Sequence, residues 1–298
     1  MKHINIIGIR RGTTFSPNHI GNDEAIFLLT MEALKKEGYS VHIYSEEAFM
    51  QIESFPAELY IVSMAREKQV VKKLQLLEKK GALVVNSGFG VENCFRTNMT
   101  KLLIANQIPY PKSIIVSTEC KDERLFNEFP QPGVWIKRGD FHAIHKEDVT
   151  FVSSREEGLD ILREYALRGI PDAVISKHLV GDLVKFYGVR GTDFFFWFYP
   201  YEHNHHKYAH YENINGKLVY NTFDEQQLKA FAVAAAEVLN VCIFGGDAII
   251  DPQGNIHIID LNDWPSFAPC REVAATAIAR LLTHTFQKTL DGIIASEK

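Results

Sequence analysis

The residues best suited to chemistry lie near the end of the chain, in Gly246-Asp247 and Asp260-Leu261-Asn262. Side chains alternate along a strand, so Asp260 and Asn262 share a face. A hairpin closed by Asp251-Pro-Gln-Gly254 brings Asp247 toward that face. Two carboxylates and a carboxamide are hard oxygen ligands, suited to Mg²⁺ shared with nucleotide phosphates. The plainer alternative is a chance Asp-x-Asn at a strand end, where both residue types favour turns.

Lysines form the second group. Trp135-Ile-Lys137 ends an apolar strand on a charge, ahead of the loop Arg138-Gly-Asp-Phe-His-Ala-Ile-His-Lys146. A lysine there is a natural phosphate contact, or simply a solvated strand-edge residue. Ile175-Ser-Lys-His-Leu179 then leads through Gly181-Asp182 to Lys185. Backbone groups at Lys177 and Leu179 could pair with a flat base, and Asp182 could accept from ribose hydroxyls; an ordinary β-turn is the competing reading.

These side chains need a scaffold. Residues 4–9, 41–44, 59–63 and 83–86 read as short buried strands, alternating with helices over 22–36 and 67–80 that end at Gly38 and Gly81. That alternation predicts a small doubly wound parallel sheet, with no G-x-G-x-x-G after its first strand. Beyond a break near residues 86–97 the pattern becomes antiparallel strands plus helices. Strands are expected at 113–116, 134–137, 149–152, 174–179, 183–189, 194–199, 207–213, 217–220, 244–250 and 256–261, with helices over 98–106, 155–167, 224–239 and 271–289.

Composition sets the outer limits. The chain has 298 residues, 46% hydrophobic and 23% charged, with a formal net charge of −5. Bulk electrostatic attachment to nucleic acid is not expected. No apolar run reaches the ~20 residues of a membrane helix, so no membrane partner is expected either. The N-terminus lacks a secretory pattern, and Cys94, Cys120, Cys242 and Cys270 are widely spaced. A cytoplasmic location is the expectation. Nothing in the sequence fixes an oligomeric state.

Taken in order, these pieces resemble the ATP-grasp superfamily over roughly residues 84–283. The likeness runs from the strand into Asn86-Ser87-Gly88, through the helix into Gln107-Ile-Pro-Tyr-Pro111 and the strand ending in Lys137. It continues through Ser176–Leu179, Gly181-Asp182-Leu-Val-Lys185 and Phe244-Gly-Gly-Asp247, and closes on Ile259-Asp-Leu-Asn262. The resemblance implies an α/β parallel-sheet front domain (1–95), then an α+β ATP-grasp unit whose small subdomain (96–176) and C-terminal subdomain (177–298) clamp ATP. It implies Mg²⁺, or Mn²⁺, on Asp247, Asp260 and Asn262. Lys137 would contact the α and β phosphates, Lys177, His178 and Leu179 the adenine, and Asp182 the ribose. Lys185 would act near the transferred phosphate, on a small-molecule acceptor.

Three departures stand out. The family's first nucleotide lysine falls on Arg96, with Lys101 one turn beyond. The loop that usually covers the phosphates, Gly139-Asp-Phe-His-Ala-Ile-His145, has little glycine, so that either histidines such as His145 substitute as donors or the loop belongs to the acceptor substrate. The metal motif begins with Asp260 where most ligases of the superfamily carry Glu, and Asp260-x-Asn262-x-x-Pro265 is similar to the inositol trisphosphate 5/6-kinases. The resemblance therefore implies either a carboxylate–amine ligase, as in RimK-like ligases and glutathione synthetase, or a small-molecule kinase. A non-catalytic nucleotide binder is a third reading.

Seven of the 12 histidines lie between residues 142 and 210. With Lys185, Arg190 and Lys207 they could line an anion pocket; His203, His205 and His206 could otherwise form an exposed polar hairpin or a transition-metal site. Arg10, Arg11, Ser16 and Asn18 follow the first strand, where acceptor contacts are expected. Arg271, at the start of the last helix, could stabilise charge developing on a transferred phosphoryl group, or be an ordinary surface arginine.

Overall fold

A computed structural model describes residues 4–13, 20–56, 59–129, 133–200 and 214–296. The front sheet is parallel, in the order β2-β1-β3-β4: β1 (Asn5–Ile9), β2 (Ser40–Tyr44), β3 (Tyr60–Ser63) and β4 (Leu83–Val85). Helices α1 (Ile20–Lys36), α2 (Glu46–Met50) and α3 (Lys68–Lys79) connect its strands. Central β3 is buried at every position and edge strand β2 at none, as the continuous apolar run of the former requires. The Glu67 carboxylate caps α3 by accepting from the N–H groups of Gln69 and Val70, and Gly81 (φ 97°) ends the turn.

Two short helices follow, α4 (Gly88–Asn93) and α5 (Arg96–Ala105). The sequence pattern showed no helix at α4, because two glycines dilute it. Gly90 is required there: a Cβ would lie 2.1 Å from the Asn240 carbonyl oxygen.

The small antiparallel sheet runs β5-β8-β6-β7: β5 (Ser113–Ser117), β6 (Val134–Arg138), β7 (Val149–Val152) and β8 (Asp172–Lys177). Helix α6 (Arg155–Leu167), capped reciprocally by Ser154 and Glu157, covers it through Leu162 and Tyr165. The large antiparallel sheet runs β10-β9-β11-β12: β9 (Asp182–Val189), β10 (Phe195–Phe198), β11 (Ile243–Ile250) and β12 (Ile256–Asp263). Helix α7 (Glu225–Val238) and α5 pack on one face through Leu228, Ala232, Met99 and Leu103, against Val184, Phe186 and Phe244.

The last helix, α8 (Arg271–Ser296), runs further than expected and packs where the front sheet meets the large antiparallel sheet, with Val189 and Ile243 in its cluster. Ala274, Ile278, Leu282 and Phe286 join Ile6, Ile26, Met31 and Tyr60 in the core of the front sheet. The chain thus begins and ends in one hydrophobic core. No helix among the described residues is long and apolar enough to cross a membrane.

One expected strand is absent. Residues 217–220 do not pair in a sheet; Tyr220 adopts a left-handed φ of 61°, and the N–H groups of Val219 and Asn221 donate to the Asp182 carboxylate. The backbone here is held by a carboxylate side chain rather than by a neighbouring strand. Expected strand 207–213, His203, His205, His206, Lys207, His210, Ser16 and Asn18 lie outside the described residues.

Asn86 ties the end of β4 to the start of β11. Its amide donates to the Ile243 carbonyl at 2.7 Å, and its oxygen accepts from the N–H groups of Cys242 and Ile243, both at 2.9 Å. The side chain is 1% exposed. Asn86→Ala strands buried backbone groups and is expected to lower unfolding free energy by about 3 kcal/mol in urea titration. A loss under about 0.5 kcal/mol, the usual range for a surface change, would show that this link is dispensable.

Candidate active site

Alternation on β9 sends Val184 and Phe186 into the helix-covered core and Lys185 to the opposite face. On that face Lys185, Asp247 and Asp260 are direct cross-strand partners, in a row over β9, β11 and β12. Lys185 Nζ donates to Asp247 Oδ1 at 2.5 Å. The sequence around Asp247 allows this approach. A Cβ on Gly246 would sit 2.3 Å from the Asp260 carbonyl oxygen, and the register shifts immediately after Asp247. Such a bulge re-aims a side chain.

Arg96, from the first turn of α5, is 3% exposed and reaches both Asp260 oxygens, at 3.3 and 3.5 Å. Lys137, at the end of β6, is equally enclosed and donates to the Ile259 carbonyl at 3.2 Å. Burial, then the neighbouring Arg96, pushes the Lys137 ammonium down to about 8. Burial alone would raise the Asp260 carboxyl. Arg96, then Lys137, His142 and Lys185 outweigh it and hold that group below its ordinary value.

These groups surround a cavity of roughly 160 Å³ between the two antiparallel sheets. Its charged end holds Arg96, Lys137, Asp247 and Asp260. Its apolar end is built from Trp135, Val149, Leu179, Ile249 and Ile259, with Lys177 at the edge. A flat apolar slot beside a cluster of cations suits an aromatic ring bearing a phosphate chain.

Expected site residues fall into two groups. Arg96, Lys137, Lys177, Leu179, Asp247 and Asp260 line the cavity, and Lys185 contacts Asp247. Asn262 stands two residues along β12 from Asp260, opposite Gly245. The others lie elsewhere. Lys101 is exposed on α5, so Arg96 rather than Lys101 faces the cavity. His145 is exposed in the β6–β7 loop, and its backbone N–H donates to Asp148 at 3.0 Å. His178 is buried behind the cavity, accepting from Trp135 Nε1 at 3.1 Å, with its pKa lowered by burial. It orients a cavity wall. Asp182, 3% exposed, spends its oxygens on Val219 and Asn221 N–H groups, so the ribose contact is not offered by this geometry. Arg271 donates to the Asn22 side chain on α1 at 2.7 Å and does not line the cavity.

No group of three or more His, Cys, Asp and Glu side chains among the described residues could hold a metal. The donor set here is smaller: two opposed carboxylates, with Lys185 and Arg96 balancing their charge, and Asn262 two residues further along β12. Such a set fits a hard divalent cation that takes its remaining oxygens from phosphates and water.

A buried cluster escaped the sequence reading. Asp263, fully enclosed at the end of β12, accepts from Arg66 Nε at 3.0 Å and Arg11 at 3.4 Å, with His142 Nε2 at 3.2 Å. Arg66 follows the apolar run of β3 directly. A charge placed there, with no solvent-facing neighbours, was the available clue.

No protein-family model matches the sequence, and no curated protein does. Solved structures do. D-alanyl-alanine synthetase A from Vibrio cholerae O1 biovar eltor is similar at a TM-score of 0.67 and 11% identity, over 96% of this chain and 99% of that one. The D-alanine–D-alanine ligase from Coxiella burnetii gives 0.67 and 13% over 99% of both chains. A RimK domain ATP-grasp protein from Sphaerobacter thermophilus gives 0.63 and 15% over 93% and 99%. A mixed α/β chain with one parallel and two antiparallel sheets, enclosing a cavity between the latter, has the ATP-grasp fold. The likeness spans the front sheet as well as the clamp.

The cluster around Asp263 sets a pH response. Burial, then Arg66, pushes the His142 imidazole down from 6.5 to about 4. The native state therefore keeps it neutral while the unfolded chain protonates it. Its stabilising contribution is complete above pH 6.5 and is lost as pH falls through 4. At about 1.4 kcal/mol per pKa unit this amounts to about 3 kcal/mol. His142→Gln is expected to flatten the stability profile between pH 6.5 and 4 in denaturant titrations; an unchanged slope would mean His142 does not titrate with folding.

Proposed function

We propose that this chain is a Mg²⁺-dependent ATP-grasp enzyme that activates a carboxylate as an acyl phosphate and joins it to an amine. The supporting observation is the cavity with Arg96, Lys137 and the Lys185–Asp247–Asp260 row at one end and an apolar slot at the other. Trp135, Leu179 and Ile249 would sandwich adenine, with backbone groups of Lys177 and Leu179 at its edge. Arg96 and Lys137 would offset the triphosphate charge in a site that excludes water, where such charges act most strongly. Asp247, Asp260 and Asn262 would hold Mg²⁺, or Mn²⁺, which neutralises charge on the β and γ phosphates. Lys185 would release Asp247 to the cation and meet the γ phosphate.

The substrate carboxylate oxygen attacks the γ phosphorus as the bond to the β-phosphate oxygen breaks and ADP departs. The amine nitrogen then attacks the acyl carbon, phosphate leaves, and the amine loses a proton. Holding these groups in line is the protein's main contribution. The Asp260-x-Asn262-x-x-Pro265 sequence favours a second reading, transfer to a hydroxyl, in which the phosphate stays on the product. A cytoplasmic setting, where ATP and reduced thiols coexist, belongs with either reading.

ADP and free phosphate measured over pools of carboxylates, amines and polyols separate the two. Phosphate release that requires a carboxylate and an amine together is expected; a stable phosphorylated product without free phosphate would establish the kinase instead. Asp260→Ala and Asn262→Ala are each expected to lower ADP formation by about 100- to 1,000-fold. Full turnover in both variants would refute the metal assignment.

A pH test addresses Lys137. An ammonium with a pKa of about 8 loses its charge in the mildly alkaline range. Affinity for a non-hydrolysable ATP analogue is expected to fall as pH rises from 7 to 9. Lys137→Arg, charged throughout, should flatten that profile. An identical pH dependence in the variant would remove Lys137 from the phosphate site.

A further inference from the structure

The front sheet order β2-β1-β3-β4 sends the chain from β1 to one side for β2 and to the other for β3 and β4. The carboxyl ends of β1 and β3 therefore flank a topological switch point, the position where open parallel sheets accept ligands. A cavity of roughly 210 Å³ lies at this position. Arg10 and Arg11 follow β1, Glu47 follows β2, Met64 follows β3, and Asp23 and Glu24 of α1 close the wall.

Its charges can be assigned one at a time. Arg11 is buried and fully engaged, donating to Asp23 at 2.9 Å and to the carbonyl oxygens of Met64, Asp263 and Trp264. Arg10 and Glu24 pair at 3.1 Å, each about half exposed and open to a ligand. Glu47 is exposed, with no cation paired to it among the described residues. Among the described lining residues two arginines stand against three carboxylates, and Arg11 is shared with Asp263, so the balance is negative. A polyphosphorylated polyol would meet like charge here, whereas an ammonium group would complete the balance.

Arg11 also joins this cavity to the nucleotide end of the molecule. Its guanidinium holds the carbonyls of Asp263 and Trp264, the residues just beyond Asp260 and Asn262 on β12. The wall of one site is thus hydrogen-bonded to the end of the strand that carries the other.

We infer that the front-domain cavity receives an amino acid substrate as its zwitterion. The ammonium group faces Glu47 and Glu24, and the carboxylate meets Arg10. This inference rests on the ligase reading and selects the substrate class within it.

The test is calorimetric titration of the full chain with each of the twenty standard L-amino acids, with their N-acetyl forms, and with inositol hexakisphosphate. Each is repeated with a bound non-hydrolysable ATP analogue and Mg²⁺. Saturable binding of at least one free amino acid is expected, weakened about tenfold or more by N-acetylation and by Glu47→Gln or Glu24→Gln. Affinity for the ATP analogue should not change in these variants. If the analogue binds but no free amino acid does, or if inositol hexakisphosphate binds in their place, the inference fails while the nucleotide site stands. If the analogue itself does not bind, the ATP-grasp activity fails, and amino acid binding sensitive to Glu47 would still uphold the cavity. Should the glutamate variants only lower the melting temperature, leaving amino acid affinity intact, Glu47 serves the first turn of α2 and the inference is overturned.

Discussion

A carboxylate with no solvent exposure has to be surrounded by donors, and Asp263 is such a group. Burial would push its pKa up, yet Arg66, His142 and Arg11 hold it well below the usual carboxylate range. Its neighbours come from three parts of the chain: Arg11 after β1 and Arg66 after β3 donate to it, and His142 in the β6–β7 loop lies 3.2 Å away. Asp263 itself ends the strand that carries Asp260. Removing one partner from a buried ion group costs more than the pair contributes, because the remaining charge is left uncompensated. The front sheet, the loop and the candidate metal strand are therefore locked to one another through a single side chain. The turn that follows is strained in the same cause. Trp264 and Phe267 take left-handed φ values of 34° and 49°, conformations that cost about 1–3 kcal/mol each. Complete burial of both rings in the front-sheet core offsets that cost.

The cavity shows the same economy of charge on a smaller scale. Asp247 and Asp260 face each other across β11 and β12, a like-charge pair that would be destabilising alone. Lys185 and Arg96 separate the problem into two ion pairs. A site held together this way is prepared for exchange of partners. In the proposed reaction a divalent cation would take the carboxylates, and phosphate oxygens would meet the freed Lys185 and Arg96.

What could be read from sequence divides along the range of the interactions. The hairpin turn at Asp251–Gly254 is local, with Asp251 accepting from the N–H groups of Gln253 and Asn255, so the facing of Asp247 and Asp260 followed from it. The choice of Arg96 over Lys101 was also readable in principle. Arg96, Met99 and Leu103 are spaced three and four residues apart and share the buried face of α5, whereas Lys101 falls off that line. Asp182 illustrates the limit. Its turn was recognised, but the backbone that claims its oxygens returns 37 and 39 residues later. The Asp263 cluster is further out of reach, with partners 197 and 252 residues away. Packing of α8 against the front sheet belongs to this class, since its alanine-rich inner face specifies close approach to something without naming the partner.

The cavity volume constrains how a nucleotide enters. At roughly 160 Å³ it is well below the ~300–1,000 Å³ of pockets that enclose small ligands, so enclosing the proposed nucleotide would require the two sheets to part. The small sheet can move without unfolding, because Val116, Phe126, Ile136, Leu162 and Tyr165 give it a core of its own. Most contacts holding it down are polar and exchangeable with water or phosphate: Lys137 to the Ile259 carbonyl, Lys68 to Asp140, and the Thr97 N–H to the Gly139 carbonyl. The exception is the base of the β6–β7 loop, where Phe141 packs 4.6 Å from the Phe95 ring and His142 reaches Asp263. That apolar contact anchors the β6–β7 loop to the front domain, while the other side of the small sheet is tied down by the strand link at Lys177–Asp182 and by the Ile258 N–H donating to the Pro109 carbonyl at 2.8 Å. The scarcity of glycine at the start of this loop follows from that packing, since Phe141 and His142 have to hold their rings against Phe95 and Asp263.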